Sequence, residues 1–325
     1  MIEPPSDANG IDLVSVGETM AQVVPIAPGA FDDSSTYSVT AGGAESNVAV
    51  HLARLGLATA WVSHLGEDPL GDLVINHIAR AGVDVSGVRR DPLRPTGVYF
   101  KRPRDDSTDI YYYRAGSAAS AMTAELAKTV AAFCPRAVHV TGITPALSPE
   151  CRQLTELVID DAHRRHALIS FDVNYRSALW PDAAIAASSL LSLAKSATVV
   201  FVGMDEAESL WSCTDERGVR ALVPDPPFLV VKDGARGATT FTRDRTYFEP
   251  AHPVDVVEPV GAGDAFAAGW LAGHLRNLTE PEKLTLGHRV ATSALRSRTD
   301  FGDLSGGVAT LPPSSHSDPV NPRGG

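Results

Sequence analysis

The sequence predicts an α/β protein in which a central, mostly parallel sheet carries helices on both faces and a small β-sheet forms a lid. Short apolar runs alternate with helical segments along most of the chain, and repeated βα units of this kind build parallel sheets. Two β-like stretches, at about 20–40 and 96–114, interrupt the alternation and predict the lid. The chain of 325 residues is therefore expected to form one large domain over 11–310, with the lid inserted in it.

Composition and charge limit the possible partners. A net charge of −11 and a pI near 5.3 argue against nucleic acid or an anionic membrane as a partner. The start of the chain lacks a basic region followed by an apolar run, and the chain lacks the ~18 consecutive apolar residues of a membrane span, so a cytoplasmic location is expected. The three cysteines are far apart, which predicts reduced, buried thiols rather than disulfides or a metal site. Composition also predicts flexible tails at 1–10 and 311–325.

The first predicted strand, at 11–17, ends directly before Glu18. It is a short apolar run closed by a glycine, which is typical of a buried parallel strand. Ligands of open α/β sheets bind at the carboxyl ends of such strands. Glu18 is therefore a candidate substrate-site residue.

A glycine pair, Gly42 and Gly43, precedes a predicted helix that ends at Gly56. Paired glycines allow backbone N–H groups to approach a ligand closely, and Asn47 on the first turn offers both a donor and an acceptor. The alternative is a tight strand-to-helix turn in which the polar residues serve as caps.

The remaining elements follow the same alternation. Strands are predicted at 59–65, 97–101, 109–114, 137–141, 167–171, 198–202 and 228–232, with a short pair within 237–248. Helices are predicted at 69–81, 149–164, 182–194, 205–211, 214–221, 261–275 and 281–296.

The segment 258–269 joins a glycine-rich turn to an Ala-rich helix. Free N–H groups of Ala262, Gly263 and Asp264 at that helix start would attract an anion, and Gly261 and Gly263 would let a phosphate approach the backbone. A carboxylate beside a phosphate is repelled by it, unless it takes a proton from the attacking group. Asp264 is thus either a general base or a helix cap.

Common nucleotide and hydrolase motifs are absent from the sequence. No Gly-x-x-x-x-Gly-Lys-Ser/Thr occurs, which excludes a P-loop. Phe266 stands where a dinucleotide fingerprint would have its third glycine, and no Gly-x-Ser-x-Gly occurs.

Two segments resemble the signatures of the ribokinase-like, phosphofructokinase-B family of carbohydrate kinases. They are Gly-Gly-Ala-Glu-Ser-Asn at 42–47 and Pro-Val-Gly-Ala-Gly-Asp-Ala-Phe-Ala-Ala-Gly at 259–269, and the resemblance spans about 11–310. Within that family, the segments at 111–114, 141–148, 172–176 and 258–264 are similar to those of 2-keto-3-deoxygluconate kinases.

The resemblance implies a role for the helix start at 261–264. Asp264 would take the proton from the terminal hydroxyl of a sugar as that hydroxyl attacks the γ-phosphate of ATP. The N–H groups of Gly261, Ala262, Gly263 and Asp264 would stabilise the charge on the transferred phosphoryl group.

The resemblance also implies a set of sugar contacts, in which Arg114 and Arg176 suit an acidic sugar because a guanidinium binds a carboxylate through two hydrogen bonds. Pairing of either arginine with a nearby acid is the alternative. The implied sugar-binding residues are Gly42, Gly43, Asn47, Tyr99, Tyr113, Arg114, Ile143, Arg176 and Asp264.

Nucleotide and metal contacts are implied in the same way. Mg²⁺ would bridge the ATP phosphates and be held largely through water, with Glu206 near it, and a monovalent cation such as K⁺ is common in the family. The sequence departs from the family at Gly203, usually Asn or Ser, at Glu258, usually Asp, and at His288, often Asn. The implied nucleotide-binding residues are Lys232, Gly234, Gly237, Gly261, Gly263 and His288.

The expected activity is ATP-dependent phosphorylation of 2-keto-3-deoxygluconate to 2-keto-3-deoxy-6-phosphogluconate. Two alternatives stay open: a fructokinase or another keto-sugar or ribokinase-type kinase of the same family, and a sugar-binding sensor without catalysis. Expected partners are a small sugar acid and ATP, without nucleic acid or membrane, and a homo-oligomer formed through the lid.

Overall fold

A computed structural model describes residues 10–26, 36–103 and 108–297 of the chain. The predicted flexible tails lie outside the described residues, except for Gly10. The described residues form two sheets and the helices that cover the larger one. This arrangement confirms the predicted fold class.

Nine strands form the larger sheet, in the order β13-β12-β11-β10-β9-β8-β1-β4-β5. All neighbours from β11 to β5 are parallel, and β12 and β13 are added as an antiparallel hairpin. The nine strands are β1 Leu13–Val16, β4 Thr59–Gly66, β5 Val88–Asp91, β8 Ala137–Thr141, β9 Leu168–Asp172, β10 Val199–Gly203, β11 Phe228–Asp233, β12 Gly237–Phe241 and β13 Thr246–Pro250. The strand order changes direction at β1, whose two neighbours are β4 and β8.

Helices cover both faces of this sheet. They are α1 Ala44–Arg54, α2 Pro69–Arg80, α3 Leu126–Ala132, α4 Thr144–Leu147, α5 Pro149–Arg164, α6 Ala183–Lys195, α7 Met204–Trp211, α8 Glu216–Leu222, α9 Ala262–Leu275 and α10 Glu280–Leu295. Successive strand residues point to opposite faces, so Leu13 of β1 packs with α1, α9 and α10, whereas Val14 packs with α3, α5 and α6. The sheet is therefore buried on both sides.

Local sequence explains where several helices begin. Asp68, Asp182 and Asp215 each accept a hydrogen bond from the backbone N–H three residues later, at 2.7–2.8 Å. Ser148 does the same at 3.1 Å. These side chains satisfy donors that a helix start leaves unpaired.

The smaller sheet is the lid. Its strands are β2 Met20–Pro25, β3 Tyr37–Gly42, β6 Val98–Pro103 and β7 Thr108–Tyr113, in the order β3-β2-β6-β7. The strands β2 and β6 are parallel, and the two outer pairs are antiparallel. One side of the lid faces the carboxyl edge of the larger sheet, where Tyr99 and Tyr112 line a cavity.

Some sequence expectations need correction. Cys151 and Cys213 are buried as expected, but Cys134 is exposed because it ends helix α3 in a left-handed turn, with φ 46°. The short elements β5 and α3 were not predicted, since the Val-Arg-Arg-Asp run of β5 lacks an apolar alternation.

In the described part of the chain, no helix is long and apolar enough to cross a membrane.

Candidate active site

A cavity of about 760 Å³ lies between the lid and the carboxyl edge of the larger sheet. It opens where the strand order changes direction, which is where ligands of open α/β sheets bind. Strand β8 is followed by Ile143 in the lining, and polar residues enter the cavity from the carboxyl ends of β1, β9, β10 and β11 or just beyond. From the large sheet these are Glu18, Asp172, Asn174 and Lys232, with Asp205 and Glu206 at the start of α7 and Asp264 in α9.

Asp264 lies in the first turn of α9, at the floor of the cavity. The helix begins after Gly261, whose φ of 87° is a left-handed conformation that strongly favours glycine. The N–H of Ala262 is partly occupied, since it donates to Pro259 O at 3.3 Å. The N–H groups of Gly263 and Asp264 belong to the first turn, where helix geometry provides no partner within the helix. They are therefore the donors best suited to meet an anion.

Two amide side chains hold the Asp264 carboxyl group from opposite sides. Asn47 Nδ2 donates to Oδ2 at 2.9 Å, and Asn174 Nδ2 donates to Oδ1 at 3.3 Å. Burial raises the pKa of Asp264 to about 7, the hydrogen bond from Asn47 opposes that rise, and the charge of Asp172 adds to it. A carboxyl group with this pKa can exchange a proton near neutral pH.

Asn174 was not among the predicted site residues, although it lies within the Asp-Val-Asn-Tyr-Arg segment at 172–176. It has a φ of 39°, a left-handed conformation that Asn tolerates better than most residues. Its backbone N–H donates to Asp172 Oδ1 at 3.3 Å, and its own Oδ1 is buried without a hydrogen-bond partner among the described residues. Asn174 thus lines the cavity, and its Nδ2 donates to Asp264 while its Oδ1 has no hydrogen-bond partner among the described residues.

Lys232 and Asp172 form a partly buried ion pair beside the α9 start. Lys232 Nζ lies 2.7 Å from Asp172 Oδ2 at the ends of β11 and β9. Burial by itself lowers the pKa of Lys232, but the charges of Asp172 and Glu206 outweigh it and raise the pKa above its ordinary value. A Cβ atom on Gly263 would lie 3.3 Å from Lys232 Nζ, so the ammonium group stands next to the turn before Asp264. The site thus has a fixed positive charge where an anion would arrive.

Both oxygens of Glu206 are held by backbone N–H groups. Oε1 accepts from Tyr175 at 2.9 Å and Oε2 from Gly203 at 2.8 Å, while Arg176 lies 3.9 Å from Oε1. Burial, and then the charge of Asp172, raise the pKa of Glu206. Gly203 is the N-cap residue of α7 and has no side chain that could accept a hydrogen bond from the first turn. Glu206, three residues later, instead accepts a hydrogen bond from the Gly203 backbone N–H, which is the other contact of a capping box.

No group of three or more His, Cys, Asp or Glu side chains that could hold a metal directly occurs in the described ranges. The carboxylates of Asp172, Asp205 and Glu206 nevertheless share the cavity wall. This donor set fits a hard cation such as Mg²⁺ that keeps most of its water ligands.

The predicted sugar-binding residues lie near the segments that join the lid to the rest of the protein. A Cβ atom on Gly43 would lie 2.4 Å from Glu18 O, so glycine is required by close backbone approach. Arg114 forms an ion pair with Glu18, whose Oε1 accepts from Ser117 Oγ at 2.5 Å. Both charged side chains are buried, and Arg114 Nε has no hydrogen-bond partner among the described residues.

Ile143 is placed by a buried carboxyl group of α1. Glu45 Oε1 accepts from Thr141 Oγ1 at 2.7 Å and from Thr144 Oγ1 at 2.8 Å, which fixes the segment on both sides of Ile143. Burial raises the pKa of Glu45. The backbone after β8 is therefore held against the first turn of α1.

The structure brings most of the predicted residues to this one cavity. The predicted residues that line it are Glu18, Gly42, Gly43, Asn47, Tyr99, Arg114, Ile143, Arg176, Glu206, Lys232, Gly234, Gly261, Gly263 and Asp264.

Of the other predicted residues, Ala262 is the first residue of α9 and does not line the cavity, and three more lie elsewhere. Tyr113 is 68% exposed and packs edge-on against Phe100, and Tyr112 is the tyrosine that faces the cavity. Gly237 begins β12 with φ 143°, close to the backbone of β13. His288 is buried against Phe266, its Nε2 lies 3.1 Å from Glu249 O, and burial lowers its pKa.

Comparisons with known proteins agree with this geometry. The profile of the pfkB family of carbohydrate kinases matches residues 11–300. A 2-dehydro-3-deoxygluconokinase from Bacillus subtilis (strain 168) is 36% identical over 299 residues, 90% of this chain and 92% of that protein. One from Thermoproteus tenax is 32% identical over 298 residues, 88% of each chain.

Two further similarities are informative. Fructokinase-2 of Zea mays is 29% identical over 303 residues, 92% of this chain and 88% of that protein. The solved structure of a PfkB protein from Polaromonas sp. JS666 superposes with a TM-score of 0.83 at 32% identity, covering 89% of this chain and 97% of that one.

Proposed function

Because the chain belongs to the pfkB family of carbohydrate kinases and is an ATP-dependent sugar kinase, we propose that its acceptor is 2-keto-3-deoxygluconate. This sugar acid is the compound named 2-dehydro-3-deoxygluconate in the two similar kinases. Phosphorylation of its terminal hydroxyl gives 2-keto-3-deoxy-6-phosphogluconate. The observation that carries the catalytic proposal is the Asp264 carboxyl group, held by two amides at a helix N-terminus with a pKa of about 7.

Asp264 is the general base. The sugar hydroxyl oxygen bonds to the γ-phosphorus of ATP, the bond from that phosphorus to the bridging oxygen breaks, and ADP leaves with the electron pair. The hydroxyl proton goes to the Asp264 carboxylate. Asn47 and Asn174 orient the carboxylate, because each donates to a different oxygen.

The positive groups beside Asp264 serve the phosphates. Lys232 Nζ and the N–H groups of Gly263 and Asp264 meet the charge that develops during transfer. Mg²⁺, when bound with ATP, neutralises charge on the β- and γ-phosphates. Asp172, Asp205 and Glu206 are the carboxylates that would hold its water shell. Whether a monovalent cation such as K⁺ assists is tested by assaying the enzyme in potassium and in sodium salts.

The acidic character of the substrate is argued from two arginines. Arg114 and Arg176 both line the cavity of a chain whose net charge is −11, so they supply the local attraction that a sugar acid needs. Arg114 keeps Nε free of protein partners within the described residues and is fixed by Glu18. Arg176 is 44% exposed at its side chain and can turn towards a ligand.

A coupled ADP-release assay tests the proposal. With 2-keto-3-deoxygluconate, fructose, ribose and adenosine offered in parallel, we expect the sugar acid to give the highest kcat/KM. Turnover with a neutral sugar or adenosine and not with the sugar acid would refute the substrate assignment. No ADP release with any of the four would count against the catalytic proposal and favour a sugar-binding sensor.

A fructokinase is the second candidate, and one observation favours it. The ion pair with Glu18 compensates the charge of Arg114, which suits a neutral keto-sugar better than a free guanidinium would. Arg114→Leu separates the candidates. For the sugar acid we expect KM to rise at least about tenfold, which corresponds to ~1.4 kcal/mol of binding. For fructose we expect little change, and Arg94→Leu, an exposed arginine paired with Asp91, is the matched control.

The outer side of the lid is the proposed contact between subunits. Val39, Tyr111 and Tyr113 are exposed by 41%, 46% and 68% on strands of this sheet. Adjacent exposed aromatic side chains on a small sheet favour association with a second copy of the chain.

A further inference from the structure

A fully buried lysine lies on the inner side of the lid. Lys101 of β6 is 0% exposed, and its register partner on β7 is Ile110, which lines the cavity. Side chains alternate along a strand, so the next residue, Arg102, points to the outer side. Lys101 itself is not among the residues that line the cavity. A direct contact with the sugar therefore does not explain its burial.

The acid near this lysine belongs to the turn that leads to Asp264. Lys101 Nζ lies 3.6 Å from Glu258 Oε2, and the Glu258 side chain is 6% exposed. The other oxygen, Oε1, accepts from Val260 N at 3.1 Å, one residue before Gly261. The backbone N–H of Glu258 donates to Leu295 O at the end of α10 at 3.3 Å. Glu258 therefore connects the lid, the last described helix and the turn 259–261.

The two charges depend on each other because both are out of water. A buried charge that loses an ion-pair partner is strongly destabilising, since water cannot replace the lost interaction. Glu258 also lies only three residues before Gly261, where phosphate is to arrive. Without Lys101 its negative charge would repel that phosphate.

We propose that Lys101 is a positioning residue for phosphoryl transfer, which acts through Glu258. The closed lid brings Lys101 to Glu258, and this pair holds the turn 259–261 in the arrangement that presents Gly263 and Asp264 to the phosphate. The position of the lid over the sugar is thereby coupled to the arrangement of the turn 259–261. The proposal rests on the proposed function, in which this turn receives the γ-phosphate.

Hydrogen exchange followed by mass spectrometry tests the coupling without any substrate. In Lys101→Met we expect the amides of 257–264 to exchange about tenfold faster, equivalent to ~1.4 kcal/mol. Arg102→Met is the matched control, because it removes the same charge from the opposite side of the same strand. It should leave that segment unchanged, and helix α5 should be unchanged in both variants, which verifies that the fold is intact. Equal exchange of 257–264 in wild type and Lys101→Met would overturn the proposal.

Kinetics supply the second readout. We expect Lys101→Met and Glu258→Gln each to lower kcat about tenfold or more with smaller changes in the KM for the sugar. The double variant should lose no more than the worse single one, because the two residues act as a pair. Lys101→Arg should recover most of the activity. Additive losses, or a change confined to the KM for the sugar, would contradict the role.

The two proposals fail in different ways. If wild type phosphorylates none of the sugars offered but the exchange response appears, the proposed function is wrong and the connection between lid and turn stands. If wild type is active and neither readout responds to Lys101→Met, the proposed function stands and the positioning role is wrong.

Discussion

Asp264 receives its chemical properties from groups that are distant in the chain. Asn47 comes from the first turn of α1, Asn174 follows β9, and Asp172 adds a repulsive charge. Together they leave a carboxylate fixed in orientation and ready to accept a proton near pH 7. Helix capping, the other interpretation of an Asp at this position, does not require two amides aimed at the carboxylate.

Asp264→Asn is expected to lower kcat at least about a hundredfold, because an amide cannot accept the proton of the sugar hydroxyl. The KM for the sugar should change much less, since the amide keeps the size of the side chain. Steady-state ADP release measures both quantities. Asp161→Asn, on the outer surface of α5, removes a distant carboxylate and should behave as wild type. A loss smaller than tenfold in Asp264→Asn would exclude the general-base role.

The pH dependence of kcat/KM follows from the same residue. The base must be unprotonated, so activity should fall as pH drops through about 7 and level off above it. The hydrogen bond from Asn47 lowers the pKa of Asp264, because it stabilises the charged form. Asn47→Ala should therefore move the acidic limb to higher pH. A limb that stays in place in this variant, measured from pH 5 to 9, would mean that another group is titrating.

At the scale of elements, α9 and α10 determine where Asp264 stands. The helices cross so closely at Gly269 that a Cβ there would lie 2.7 Å from Leu286 O and 2.8 Å from Gly287 Cα. Trp270, the next residue, is fully buried against Phe201 of β10. The turn that we propose for catalysis is thus carried by a helix that packs between α10 and the sheet.

Gly269→Ala should destabilise the protein by about 1–3 kcal/mol, because the added methyl group meets rigid backbone. Gly263→Ala is the matched control on the same helix, since its new Cβ would meet only the end of the flexible Lys232 side chain at 3.3 Å. We expect a clear fall in the urea midpoint for Gly269→Ala and a small one for Gly263→Ala, with lowered kcat in the latter. Equal urea midpoints for the two variants would show that α9 and α10 can move apart to accommodate the methyl group without loss of stability.

At the scale of the whole molecule, two sheets enclose one site. The large sheet supplies Asp172, Asn174 and Lys232 from the ends of β9 and β11, and the lid supplies Tyr99 and Tyr112 from above. Arg114 and Glu18 lie where the lid joins the main body, after β7 and before β2, so their ion pair ties two of the lid connections together. Under the proposed function, in which Arg114 contacts the sugar, sugar selection and lid position are therefore linked.

Association through the lid can be tested on the intact chain. Tyr113→Lys should reduce the mass found by light scattering to that of one chain, because a charge replaces an exposed aromatic side chain on the outer side. Phe248→Lys, at a half-exposed position on the edge strand β13 of the large sheet, is the control and should keep the wild-type mass. A single-chain mass for wild type would exclude the interface.

Much of the fold could be anticipated because its signals are local. Apolar runs, helix-starting Asp and Ser residues, and glycines at turns act over a few neighbours, so the βα order and the helix start at Asp264 were predictable. The three consecutive tyrosines of β7 show the limit. They carry no alternation of polar and apolar residues, so the pattern could not reveal that Tyr112 faces the cavity and Tyr113 faces outward.

The motifs were sufficient to identify a sugar kinase and to predict the turn that we propose receives the phosphate, because such a turn is built from adjacent residues. Folding decided the rest: the amide of Asn174 on Asp264, the acid paired with Arg114, and the lysine of the lid beside Glu258. Each of these contacts joins side chains that are far apart in the sequence. Burial strengthens the electrostatic interactions between them. Long-range packing, which no short stretch of sequence encodes, sets the pKa of Asp264 and the contacts of the lid.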